Sequence, residues 1–338
     1  MKAISKTALP DLFAALKGRV YVPVREGKGF GFAPWDGEIW SADYQNTIVP
    51  PKQILFPQTE DLYSFRMEGE DIAIDPASGP EEPIFIFGLR PCDHKGIELL
   101  DLVFRQGPYL DAPYSKRRDN TFLMVLGCKE GLPTCFCTSF GLEPAFAPGA
   151  DWNMWDLGEV LLIEPGTAKG KELLDGLELF REATEEEVSQ AKKLRDEARE
   201  TITLQAPVEG ITEGLQENFD HPLWEEVARK CLECGACTYL CPTCHCYDLQ
   251  STSVLGQGKR FRCWDSCMYC NYTLMAGGHN PRPTKRERVR NRFLHKLQYF
   301  PENHGEFGCV GCGRCLQNCP VHMDITRFMA QAKDVMAK

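Results

Sequence analysis

Across the first two hundred positions, apolar residues gather in short runs separated by turn-forming residues. RVYVPV (19–24), EPIFIFG (82–88), NTFLMVLG (120–127) and EVLLIEP (159–165) have the length and the β-branched or aromatic content of strands. Between them, KGIELLDLVF (95–104) and KELLDGLELF (171–180) space their apolar residues as helices do. This alternation predicts an α/β domain over residues 1–204. EEEVSQAKKLRDEARETI (185–202) predicts a charged helix with few apolar contacts, Val188, Ala191 and Ala198, which reads as a solvated bridging helix. Residues 205–222 carry prolines and glycines and are expected to form a linker before a second domain over 223–338.

That second domain repeats itself. CLECGACTYLCP (231–242) and CVGCGRCLQNCP (309–320) agree at every cysteine, at the glycine after the second cysteine and at the closing proline. The spacing C-x2-C-x2-C-x3-C-P is the bacterial ferredoxin run, in which three cysteines wrap one cube and the fourth reaches its neighbour. The proline breaks the preceding turn and aims that fourth thiolate away. Two 4Fe–4S clusters follow, with crossed ligation: Cys231, Cys234, Cys237 and Cys319 on the first, Cys309, Cys312, Cys315 and Cys241 on the second. Zinc knuckles are the competing reading, but zinc favours paired ligands at longer intervals, often with histidine. All-cysteine clusters leave no open iron site, so these centres read as electron carriers. The predicted fold is therefore an α/β N-terminal domain followed by an α-helical, bacterial dicluster-ferredoxin-like domain with a large insertion, 244–305, between its motifs.

The chain has seventeen cysteines, thirteen of them between 231 and 319. No secretory apolar core is legible at the N-terminus, so the expected setting is a reducing cytoplasm, where clustered cysteines usually bind metal. Apolar runs such as VLLI (160–163) are too short to span a bilayer, so no membrane insertion is expected. The net charge of −10 argues against general nucleic-acid binding.

Nine cysteines lie outside the two motifs. Cys92 and Cys128 each follow an apolar strand, at the turn where α/β sheets present ligands, and Cys135 and Cys137 come soon after. These four are candidates for a third iron–sulfur site, with a redox thiol pair or a structural zinc as alternatives. Cys244, Cys246 and Cys267 are candidates for a further metal site with Cys263 or Cys270, or else for thiols packed around a cluster. His245, between two cysteines, reads as an ordinary turn histidine. Seven Lys/Arg residues fall within 282–296, on a helix whose apolar face is Val289, Phe293, Leu294 and Leu297. They suit a solvated face, a docking surface for an acidic partner or a counter-charge to reduced clusters. GKGFGF (27–32) lacks the third glycine of a dinucleotide fingerprint and lies in an expected hairpin. GTAKGKE (166–172) is one residue short of a phosphate loop, so no nucleotide site is legible.

GLRPCDHKGIELLD, GCKEGLPTCFCTSFG, CLECGACTYLCPTCHC, RCWDSCMYCNYTLMAGGHNPRP and CVGCGRCLQNCP follow one another in this order. From about Cys92 onward the chain resembles the beta subunit of sulfhydrogenase-type nickel–iron hydrogenases, which is similar to the A subunit of anaerobic sulfite reductase. The resemblance implies a 4Fe–4S electron-transfer subunit in a hetero-oligomer, rather than the catalytic subunit. Its implied partners are a flavin- and NAD(P)H-binding gamma-type subunit and a catalytic subunit, or a heterodisulfide-reductase-like bifurcating core. It also places Cys92, Cys128, Cys135 and Cys137 in family motifs, whereas Cys263 and Cys270 depart from the family pattern. A self-contained iron–sulfur enzyme with a flavin or substrate site in the N-terminal domain is the alternative.

Overall fold

The structure is a computed structural model that describes residues 1–37, 44–69, 71–77 and 79–336. Twelve strands are described in chain order: β1 (Lys2–Ser5), β2 (Arg19–Glu26), β3 (Gly29–Pro34), β4 (Thr59–Glu68), β5 (Asp71–Pro76), β6 (Ile84–Leu89), β7 (Thr121–Leu126), β8 (Trp152–Asp156), β9 (Val160–Pro165), β10 (Arg181–Glu182), β11 (Tyr247–Val254) and β12 (Gln257–Trp264). Eight of them make one mixed sheet in the order β10-β1-β9-β8-β7-β6-β2-β3. Its centre, β2-β6-β7-β8, is parallel.

The central strands are apolar on both faces because both faces are covered. Along β6, Phe85 and Phe87 enter one core while Ile84, Ile86 and Leu89 enter the other. Along β7, Met124 and Leu126 join the first and Leu123 and Val125 the second. Helix Leu9–Ala15 covers the first core through Leu9, Leu12 and Phe13. Helices Pro91–Phe104 and Ala112–Asp119 cover the second, through Ile97, Leu100, Phe104 and Tyr114.

The hairpin expected at 27–32 forms between β2 and β3, turning at Gly27 with φ of 58°. The helix expected over 171–180 is Ala168–Asp175, capped by Gly176. Beyond it Leu177, Leu179 and Phe180 fold back onto the first core. The charged helix Glu185–Glu200 begins in a capping box of Thr184 and Glu187, buries Ala191 and Ala198, and leaves Val188 exposed. Residues 205–222 contain the helix Ile211–Glu217, whose Ile211 and Leu215 are buried against Phe293, Leu297 and Phe328. The stretch between the halves is thus packed.

The segment between the two cysteine motifs reaches back into the first half of the chain. Its hairpin β11–β12 pairs with β4, which pairs with β5, giving a four-stranded antiparallel sheet. At the foot of this sheet Trp264 enters the second core, stacks on Phe56 and donates its indole N–H to the Phe56 carbonyl at 3.1 Å. Buried Arg262 donates to Glu60 at 2.8 Å and to Asp111 at 2.5 Å, and Arg117 pairs with Glu60 from the other side. Beyond the hairpin, helix Lys285–Leu294 continues through a π-helical turn, His295–Tyr299, into Phe300–His304. Among the described residues, no helix is long and apolar enough to cross a membrane.

Removing Arg262 leaves the buried Glu60 with Arg117 alone and the half-buried Asp111 without an arginine, and cuts one tie between the insertion and β4. Arg262→Ala is expected to lower unfolding stability by roughly 3–5 kcal/mol, and Glu60→Gln in the same chain to restore part of it. Denaturant unfolding of the three proteins measures this; a loss below about 1 kcal/mol would mean the network behaves as a surface ion pair.

Candidate metal centres

The two copies of the cysteine repeat share one backbone. Glu233 and Gly235 in the first have φ of 57° and 74°; Gly311 and Gly313 in the second have 63° and 74°. Each left-handed glycine opens a short helix, Ala236–Tyr239 or Arg314–Gln317. Such a coil turns amide groups inward, where anionic sulfur is stabilised. The Glu233 amide donates to Cys231 Sγ at 3.3 Å, and the Met323 amide to Cys319 Sγ at 3.1 Å. The residue types differ because their surroundings do. A Cβ at Gly311 would stand 2.5 Å from the Phe136 backbone, and one at Gly313 2.4 Å from the Thr134 carbonyl oxygen. The second loop is pressed against the N-terminal domain, while the first carries Glu233, which pairs with Arg288.

Cys231, Cys234, Cys237 and Cys319 line one small cavity of about 30 Å³, with Met268, Val289 and Arg292. Three of these cysteines come from the first copy and the fourth from the second. Cys309, Cys312, Cys315 and Cys241 lie within electrostatic reach of one another. Burial pushes the Cys309 thiol up to about 12, so these sulfurs carry charge only beside a cation, and metal binding supplies one. Cys241 is held well below the usual thiol range, first by a hydrogen bond from Cys244 and then by Lys296 and Lys52. Lys296 Nζ donates to Cys241 Sγ at 3.2 Å, to Thr243 Oγ1 at 2.9 Å and to the Gly308 carbonyl at 3.0 Å.

Cys92, Cys128, Cys135 and Cys137 also meet, around a small cavity of about 20 Å³. Cys92 starts the helix after β6 and Cys128 follows β7, so two adjacent parallel strands deliver them at their carboxyl ends. Cys135 and Cys137 arrive on the loop that supports Gly311. Cys312 lines the same cavity, which sets these four thiols directly against the second motif. Burial pushes Cys135 up to about 12. Among the described residues no three His, Cys, Asp or Glu side chains converge on a point where one ion would sit. Four cysteines line the first cavity and five the second, and a cube takes one ligand on each iron.

The remaining cysteines divide. Cys244 and Cys267 are buried, Cys244 beside Cys241, and Cys267 beside Cys246 and Cys237. Cys263 sits on β12 opposite Asp248, and Cys270 is exposed with its thiol on Asn271. Neither joins Cys244, Cys246 and Cys267. The His245 ring nitrogen lies 3.1 Å from the Thr243 carbonyl, and the ring packs edge-on against His295; burial lowers its pKa to about 4.

The basic helix turns its charge inward. Arg288, Arg292 and Lys296 are buried, and Arg290 reaches Asp220 at 2.8 Å. Residues 288, 292 and 296 repeat at four-residue intervals beside apolar 289, 293 and 297. That phase was the available signal that these cations share the buried flank. Nothing in the sequence singled out three other supports. Lys52 donates to the Cys244 carbonyl at 2.6 Å. Arg314 pairs with Asp93 at 2.7 Å and donates to the Thr47 carbonyl at 2.7 Å. Asn46 donates to the Cys312 carbonyl at 3.1 Å.

Residues 230–323 match the model of a 4Fe-4S dicluster domain, which spans both cysteine runs. Sulfhydrogenase 2 subunit beta from Pyrococcus furiosus is 33% identical over 330 residues, covering 96% of this chain and 96% of that protein. No solved structure matches the chain. With paired cysteine runs inside a 4Fe-4S dicluster domain and a likeness running the length of the chain, this protein belongs to the sulfhydrogenase beta-subunit family of iron–sulfur proteins.

Proposed function

We propose that this chain is the iron–sulfur electron-transfer subunit of a soluble, cytoplasmic, anaerobic oxidoreductase complex. In this reading it joins a hetero-oligomer, relaying electrons between a flavin- and NAD(P)H-binding gamma-type subunit and a catalytic partner. That partner is of the hydrogenase, sulfite reductase or heterodisulfide-reductase-like class. The Pyrococcus relative is itself called a subunit, which supports a place in such an assembly.

One observation carries the reading: Cys319, from the second run, lines the cavity of the first. Exchange of the fourth ligand requires two centres side by side, and all-cysteine ligation leaves no iron open to substrate. When bound, 4Fe–4S clusters supply reversible one-electron storage. Cys231, Cys234, Cys237 and Cys319 would hold one and Cys309, Cys312, Cys315 and Cys241 the other. Lys296 keeps a cation against the Cys241 sulfur, where it favours added negative charge. Cys92, Cys128, Cys135 and Cys137 would hold a third cluster in contact with the second motif through Cys312. Cys234 and Leu232 are exposed, which gives the first site an open edge to a partner. Cys244, Cys246 and Cys267 serve as packed thiols beside these sites.

A second reading has one observation in its favour. A cavity of about 670 Å³ lies at the carboxyl end of β7, lined by Lys28, Tyr44, Arg90, Cys128, Lys129 and Asp156. Its size suits a small molecule. Flavin or turnover of a small substrate by the isolated chain would move the function from relay to enzyme.

Cys319→Ala is expected to remove the cluster held by the 231–237 loop, lowering bound iron by about four atoms. Loss confined to the signal of the 309–315 loop would refute the crossed arrangement. Anaerobically isolated protein should carry about twelve irons, and Cys128→Ala about eight, with both C-terminal cluster signals intact. A wild-type count near eight would remove the third site.

A further inference from the structure

Arg292 is buried at 3% exposure, and none of Nε, Nη1 and Nη2 has a hydrogen-bond partner. A guanidinium in that condition is strongly unfavourable, because five N–H donors and a full charge lose water without replacement. The other buried arginines have partners: Arg288 pairs with Glu233, Arg314 with Asp93, Arg262 with Glu60 and Asp111, and Arg90 donates to the Leu126, Gly127 and Tyr44 carbonyls. Arg292 has sulfur instead. It lines the cavity of Cys231, Cys234, Cys237 and Cys319. Burial works against its charge first of all; the groups that favour it are Cys237 of that set, then Cys315, Cys244 and Cys241. The guanidinium thus lines the first cage and lies within electrostatic reach of the second. Lys296, one helical turn further on, donates to Cys241, and the sulfurs that act most on it are Cys241, Cys244 and Cys309.

We propose that Arg292 is a shared donor to both clusters, its guanidinium fork hydrogen-bonding sulfur on each side and raising both reduction potentials. The inference rests on the two-cluster reading above. A reduced cluster carries one more negative charge than its oxidised form, so a fixed donor stabilises the reduced state more. In a low-dielectric site that difference is large, and a single cation between two cages acts on both. The planar fork suits this place better than an ammonium does, because its donors point in several fixed directions in one plane. Arg292 is thus a tuning residue that links the potentials of neighbouring centres, while Lys296 tunes the second alone.

The test is an anaerobic redox titration followed by electron paramagnetic resonance, on protein whose iron content has been measured. Wild type without cubane signals would sink the two-cluster reading itself, before any variant is compared. With clusters present, Arg292→Met at unchanged iron content is expected to move both midpoint potentials to more negative values. Arg292→Lys should show a smaller shift, and Lys296→Met should move only the cluster that includes Cys241. If Arg292→Met moves neither potential, or only one, the shared role is overturned. If that variant does not retain its iron, wild type labelled with ¹⁵N in the arginine guanidino group decides. Nitrogen hyperfine coupling on both reduced clusters supports the proposal, and coupling on one or neither overturns it.

Discussion

Anionic sulfur held in a low-dielectric interior is tolerable only where cations and oriented amides surround it, and most of the tertiary structure answers to that requirement. Lys52, Arg292, Lys296 and Arg314 are all buried around the cysteine loops of a chain whose net charge is −10. They come from three separate stretches, so a charge balance inside the site becomes a set of long-range ties across the fold. Arg314 binds the second loop to Asp93 at the head of one helix, and Lys52 holds the carbonyl of Cys244 from another. The same contacts that neutralise the site close the two halves of the chain around it.

This explains why the halves interleave. The segment separating the cysteine runs sends β12 to pair with β4 and plants Trp264 and Arg262 in the N-terminal core. In return, residues 44–56 of the N-terminal half supply Asn46, Thr47 and Lys52 to the loops of the second half. Each half supplies part of the other's interior, so opening the sites to water would also unpair strands. Exclusion of water from the sulfurs is thereby tied to global stability.

What the sequence revealed follows from how local each signal is. Strands β2, β6, β7 and β9 announced themselves as apolar runs because both faces of the sheet centre are covered, and the cysteine repeat carries its geometry in its spacing. The sheet of β5, β4, β12 and β11 stayed hidden. Its residues, such as those of QSTSV (250–254) and DIAID (71–75), are mostly exposed, and its partners lie almost two hundred positions apart. Helix Ile211–Glu217 was masked by the glycines and prolines around it, although Ile211 and Leu215 sit at i and i+4. The four thiols of the N-terminal domain could be named individually; their meeting depends on β6 and β7 being neighbours, which spacing alone does not state.

The two copies of the motif also separate what a motif dictates from what its setting dictates. Equal backbone angles at 233 and 311 and at 235 and 313 give the loops one shape. Beyond that shape they diverge. The first leaves Cys234 and Leu232 exposed and holds a glutamate at a left-handed position, where it pairs with Arg288. The second has glycine at both positions because the N-terminal domain leaves no room for a Cβ. In the proposed relay, a centre in the open loop would exchange charge with what docks on it, and one in the closed loop with its neighbours in the chain. A centre's place in a relay is therefore set by the surface packed around the loop, a property that four matching cysteines do not encode.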